Sequence, residues 1–213
     1  MKDFFLDLYR DLIRIIHARL DNSKLEGTEN LIEFIHSRAA YVAQTSLYGY
    51  LKTRMGRQYV DIFKDEFFAP SLNRAKWELY FACLSDLTVY AISNIVTKSN
   101  LTDEEISNKA KFIFDECVAR TLNDKCPPVI MTQAKNSFMN RSQITIWANA
   151  AIGENAFSLS PETLASSSPV TEQFQELDRE IVLNSVRFRW NNIREEFQKR
   201  YNRDKILDSW QSG

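Results

Sequence analysis

Residues 79–96 read LYFACLSDLTVYAISNIV, with one formal charge, Asp86, among apolar and small polar neighbours. A carboxylate in such surroundings must be paired, hydrogen-bonded, protonated or reached by water, because burying it bare is very costly. The run is about as long as the shortest membrane-spanning helix. Ser85, Asp86, Thr88, Ser93 and Asn94, with Arg74, Lys76 and Glu78 just upstream, make it too polar for a comfortable solitary span. It reads instead as the buried central helix of a bundle, over about residues 71–97.

Composition agrees with a helical reading. In 213 residues there are only 5 Gly and 5 Pro, so turns are few and elements long. An apolar fraction of 44%, with 14 Phe, 8 Tyr and 4 Trp, supplies core material for one domain and argues against global disorder. The formal net charge is −1, from 27 basic and 28 acidic residues, which leaves no generally basic surface for nucleic acid. Asp3, Asp7, Arg10 and Asp11 interrupt the apolar N-terminus, so it does not read as a signal peptide. Cys83, Cys117 and Cys126 have no zinc spacing and form no even framework, which points to a reducing, cytoplasmic compartment.

Outward from the central run, residues 2–20 read as a helix with a narrow polar stripe at Asp3, Asp7, Arg10, Arg14 and His17. Phe4, Phe5, Leu8, Leu12, Ile15 and Ile16 form a wide apolar face that must be covered. A second helix starts at Thr28 or Asn30 and stops near Met55, before Gly56. Its small residues Ala39, Ala43, Ser46 and Gly49 admit another backbone closely. A short helix is expected at 58–64. Thr102-Asp-Glu-Glu105 has the spacing of a capping box and opens a helix ending near Asn123. Residues 129–151 read as weaker helix, with Gln143–Trp147 able to be extended. Ser and Pro enrichment over 153–170 predicts a loop, with at most one helical turn at Ser160-Pro161. A last long helix covers about 171–201, with a short piece after it. The expected fold is an all-α, irregular multi-helix bundle: a helical core over 1–152, a Ser/Pro-containing loop over 153–170, and 171–213 packing on that core.

For Asp86 the second helix offers Arg38, Lys52 and Arg54, and Tyr41, Tyr48 or Tyr50, as partners in a structural polar core. If it is paired, Asp86→Leu should be tolerated better than loss of its partner alone. His17 and His36 fit no metal motif, and neither metal nor cofactor is expected. The five glycines frame no G-x-S-x-G elbow, P-loop or dinucleotide fingerprint. On the last helix, Val186, Trp190, Ile193, Phe197 and Tyr201 share a face flanked by Arg187, Arg189, Arg194 and Arg200. Either this is a core stripe rimmed by arginine stems, or Arg187, Arg189, Trp190 and Arg194 bind a partner.

AYVAQTSLYGYLKTRMG at 40–56, ACLSDLTVYA at 82–91 and DREIVLNSVRFRWNNIREEF at 178–197 resemble a family of small, mostly uncharacterised alphaproteobacterial proteins. The resemblance covers nearly the whole chain and implies a bacterial, cytoplasmic protein. Some members are loosely labelled esterase, but it transfers no catalytic residue. The resulting expectation is a non-enzymatic binding or assembly protein with a protein partner, or RNA or anionic lipid, at the last helix. The alternatives are a hydrolase using Asp86 and His36, and a peripheral membrane protein.

Overall fold

The computed structural model describes residues 23–56, 65–66, 68–121, 126–153 and 155–211. The helices expected over 2–20 and 58–64 lie outside these residues. Eight helices account for most of what is described: α1 (Thr28–Met55), α2 (Phe68–Val96), α3 (Asp103–Ala119), α4 (Pro128–Ile144), α5 (Trp147–Ala150), α6 (Leu159–Ser167), α7 (Glu172–Arg200) and α8 (Arg203–Gln211). Among the described residues the extended pairing is a single parallel bridge between Leu25 and Tyr201.

α2 is the central element. Every residue from Leu79 to Ser93 is buried, and α1, α3, α4, α5, α6 and α8 all pack against it. A helix apolar on all sides needs such a cover. Its polar side chains turn inward to their own backbone where they can: Thr88 donates to the Leu84 carbonyl (2.7 Å) and Asn94 to that of Tyr90 (2.8 Å). Among the described residues α2 is the one helix long and apolar enough to cross a membrane, and 94% of its most apolar window is buried in the protein.

Local signals explain most boundaries. Glu105 N–H donates to Thr102 Oγ1 while Glu105 Oε2 accepts from Thr102 N–H, closing the capping box that opens α3. Gly56, at φ +52°, ends α1 in a conformation that other residues rarely adopt. Pro128 occupies the tolerated first turn of α4. The extended option for 143–147 is realised at Thr145 and Ile146 alone, which separate α4 from α5.

One expectation needs correction. Within the presumed loop of 153–170, α6 is a nine-residue helix that packs on both α2 and α7. Its Ser-rich sequence has weak intrinsic helix preference. Tertiary contacts at its N-terminus supply what the local sequence lacks.

Candidate functional site

Asp86 is fully buried and accepts four hydrogen bonds. Arg141 Nη1 on α4 donates to Oδ1 (2.7 Å), as does the Leu159 amide (3.2 Å). The Ser160 amide (2.8 Å) and hydroxyl (2.6 Å) donate to Oδ2. The carboxylate thus acts as an N-cap delivered from another helix: it satisfies opening amides of α6 and sits at the positive end of that helix. Arg141 also donates to Ser85 Oγ and to the Ala156 carbonyl, both at 2.8 Å. Trp190 Nε1 on α7 donates to Ser160 Oγ (2.9 Å), so one connected network ties α2, α4, α6 and α7 together. Burial pushes the Asp86 carboxyl above its ordinary value, while Arg141 and the Ser160 donors pull it back. Every neighbour donates, so the network fits the ionised form.

None of the partners expected for Asp86 is among these. Arg38, buried on α1, pairs with Glu196 of α7, which also binds Arg200. Arg54 pairs with Asp178 of α7, which accepts from Tyr50 as well (2.9 Å). Tyr48 is half-buried against the core. The cations of α1 therefore tie α1 to α7, while the carboxylate of α2 looks to α4 and α6. Sequence reasoning missed Arg141, Ser160, Asp178 and Glu196 because each is paired across more than fifty residues of chain.

Burial tends to raise the Glu196 carboxyl, but hydrogen bonds and charge from Arg38 and Arg200 outweigh it and hold it below the ordinary 4.5. A carboxylate lowered in the folded state stabilises above its unfolded pKa, and that contribution is lost as pH falls through the folded value. Glu196→Gln should therefore melt lower than the parent at neutral pH, with the gap narrowing as pH drops below about 4.5. Thermal melts at constant ionic strength read this directly. A gap independent of pH would refute the assignment.

The hydrolase candidates do not converge. His36 Nδ1 lies 2.8 Å from the Tyr80 hydroxyl, whose ring meets the imidazole edge-on. No described contact joins Asp86 to a histidine, and Ser160 is wholly buried between Asp86 and Trp190. Burial pushes the Cys83 and Cys117 thiols up, so neither offers a thiolate near neutrality. Among the described residues, no group of three His, Cys, Asp or Glu is placed to hold a metal ion.

The arginine–aromatic face of α7 is also rearranged. Trp190 is 1% exposed and stacks on Phe157 at 4.6 Å, so it faces the core and cannot meet a partner. Val186, Ile193 and Phe197 share its burial. Arg189 is half-buried with its tip against Gly49. Arg194 donates to the Ile152 carbonyl (3.1 Å) and lies over the Tyr90 ring. It leaves no room for a Cβ at Gly153, where φ is +98°. Of the four residues expected to bind a partner, only Arg187 is exposed.

The opposite face of α7 presents a different feature. Phe174, Leu177, Ile181 and Phe188 recur at helical spacing and are exposed, the last three at 69–72%. At its N-terminal end this stripe runs into a groove of about 560 Å³, lined by Phe174, Arg54, Met55, Phe68, Pro169 and Val170. No protein-family model, curated protein or solved structure matches the chain.

Proposed function

We propose that the protein is a binding or assembly factor that docks an apolar helix of a partner protein along the outward face of α7. The observation that supports this reading is the stripe Phe174–Leu177–Ile181–Phe188, continuous with the groove at Phe174. Contiguous exposed apolar surface of this kind marks interaction sites, whereas scattered single residues need no explanation. Each such side chain covered by a partner is worth about 1.5–3 kcal/mol of transfer free energy. Amphipathic helices dock in this manner through anchors three and four residues apart.

A basic RNA or lipid surface on α7 finds less support, because Arg194 is bound to the Ile152 carbonyl and Arg189 is half-buried with its tip beside Gly49. The hydrolase reading finds less still, because Asp86 is enclosed by its four donors.

Leu177→Asp with Ile181→Asp should leave the melting temperature nearly unchanged, since both sites are exposed. The same pair should abolish recovery of any stoichiometric partner from native cells. Full recovery of that partner with the folded variant would sink the proposal.

A further inference from the structure

We infer, resting on the docking reading above, that the partner helix is basic as well as apolar. Its Lys or Arg residues meet Glu176 and Glu180 of α7 while its apolar face covers Phe174, Leu177, Ile181 and Phe188.

The two edges of the stripe differ in charge. Asp178, Ser185 and Asn192 follow one another at seven-residue spacing along the edge that faces α1. Asp178 is closed there by Arg54 and Tyr50, and the other two are neutral. On the opposite edge Arg179 reaches over to Glu162 of α6 (2.6 Å). Glu176 and Glu180 stand between that contact and the stripe, and both are exposed.

The fold makes no use of these two carboxylates. Glu172, in the first turn of α7, suits the positive end of the helix. Glu176 and Glu180 lie in the second and third turns, where that effect has faded. Like charges four residues apart repel mildly along a helix, and 172, 176 and 180 make two such pairs. Among the described residues the ion pairs of α7 involve Asp178, Arg179, Glu195, Glu196, Lys199 and Arg200, and none includes these three glutamates. Arg179 lies three places from Glu176 and still turns to Glu162. Local repulsion without a compensating contact is expected where a surface serves recognition. Charge beside an apolar strip selects the partner and its orientation.

The stripe also has a direction. From Phe174 to Phe188 it runs about 21 Å, some four helical turns. Glu180 stands one turn from Leu177, whereas the exposed Arg187 adjoins Phe188. The sign of the charge therefore changes along α7, and the basic residues of the partner belong over its N-terminal half. That half opens into the groove of about 560 Å³ at Phe174, which has room for a bulky apolar anchor. The same glutamates repel an anionic membrane.

Two four-turn model helices with the same leucine face serve as probes, one flanked by lysine and one by glutamate. Each is titrated onto the full chain at low salt and followed by fluorescence anisotropy. The lysine helix should bind about tenfold more tightly, with the advantage shrinking as salt rises. Glu176→Lys with Glu180→Lys should melt like the parent, since both sites are exposed, and should reverse the order of the two probes. Leu177→Asp with Ile181→Asp should bind neither. Equal affinities for the two helices, or a lysine preference that survives the charge reversal, would overturn the basic partner and leave the docking reading standing. Binding of neither helix to the parent would remove both. A parent that sediments as a dimer, or with anionic vesicles, while the Leu177→Asp, Ile181→Asp variant does not, would give the face to a second copy or to lipid and overturn the inference.

Discussion

Asp86→Asn is expected to lower the stability by about 3–5 kcal/mol, the range seen when one member of a buried ion pair is removed. The side-chain shape is kept, but the charge is gone and an NH2 group replaces one oxygen. Four donors converge on the two carboxylate oxygens, so any orientation of the amide sets a donor against a donor. Arg141 is left with Ser85 and the Ala156 carbonyl, neither of them charged. For a chain of this size the loss corresponds to a fall in melting temperature of about 6–20 °C. Arg141→Met should be milder. It leaves the carboxylate its two α6 amides and the Ser160 hydroxyl, and the Arg141 side chain is already 16% exposed. This order reverses the expectation from sequence that Asp86→Leu is gentler than loss of its partner. That expectation treats Asp86 as half of a pair, whereas it also caps a helix. Melts of Asp86→Asn, Asp86→Leu and Arg141→Met decide the matter: if Arg141→Met is the least stable, the capping role of Asp86 is wrong.

The central helix was legible because 79–96 is apolar at every phase of the helical period, and that pattern has few solutions besides burial. The start of α3 was legible because a capping box is local, with both partners within four residues. Asp86 announced itself by contrast with its neighbours, but its partners could not be named. Arg141 lies 55 positions away on a helix of weak periodicity. Ser160 lies in a segment whose composition says loop, and α6 forms there because a carboxylate from α2 meets its first amides. α7 shows a further limit. It carries apolar residues on two opposite faces, Val186–Trp190–Ile193–Phe197 and Phe174–Leu177–Ile181–Phe188. The sequence reading singled out only the first of these, and periodicity alone does not say which face of a helix the rest of the chain covers. The stripe with the tryptophan and its arginine rim read either as core or as a binding face, and its burial answers to the first of these.

That distinction yields the second large effect. Trp190→Ala should cost about 3–5 kcal/mol, as removal of a large, fully enclosed aromatic side chain does. Trp190 is 1% exposed, stacks on Phe157, and gives Ser160 Oγ a donor while that hydroxyl serves Asp86. Alanine leaves a cavity between α6 and α7 and disconnects α7 from the polar network. Trp190→Phe retains most of the ring volume and loses the N–H, so about 1 kcal/mol should separate it from the parent. Phe188→Ala, two residues away on the other face and 71% exposed, should change the stability by no more than about 0.5 kcal/mol. Denaturant melts of the three variants order them Trp190→Ala, Trp190→Phe, Phe188→Ala, from most to least damaging. The order for partner recovery at a temperature where all three are folded is the reverse: Phe188→Ala should weaken it and Trp190→Phe should not. A stable, folded Trp190→Ala protein that had lost its partner would return this tryptophan to the surface and exchange the roles of the two faces of α7.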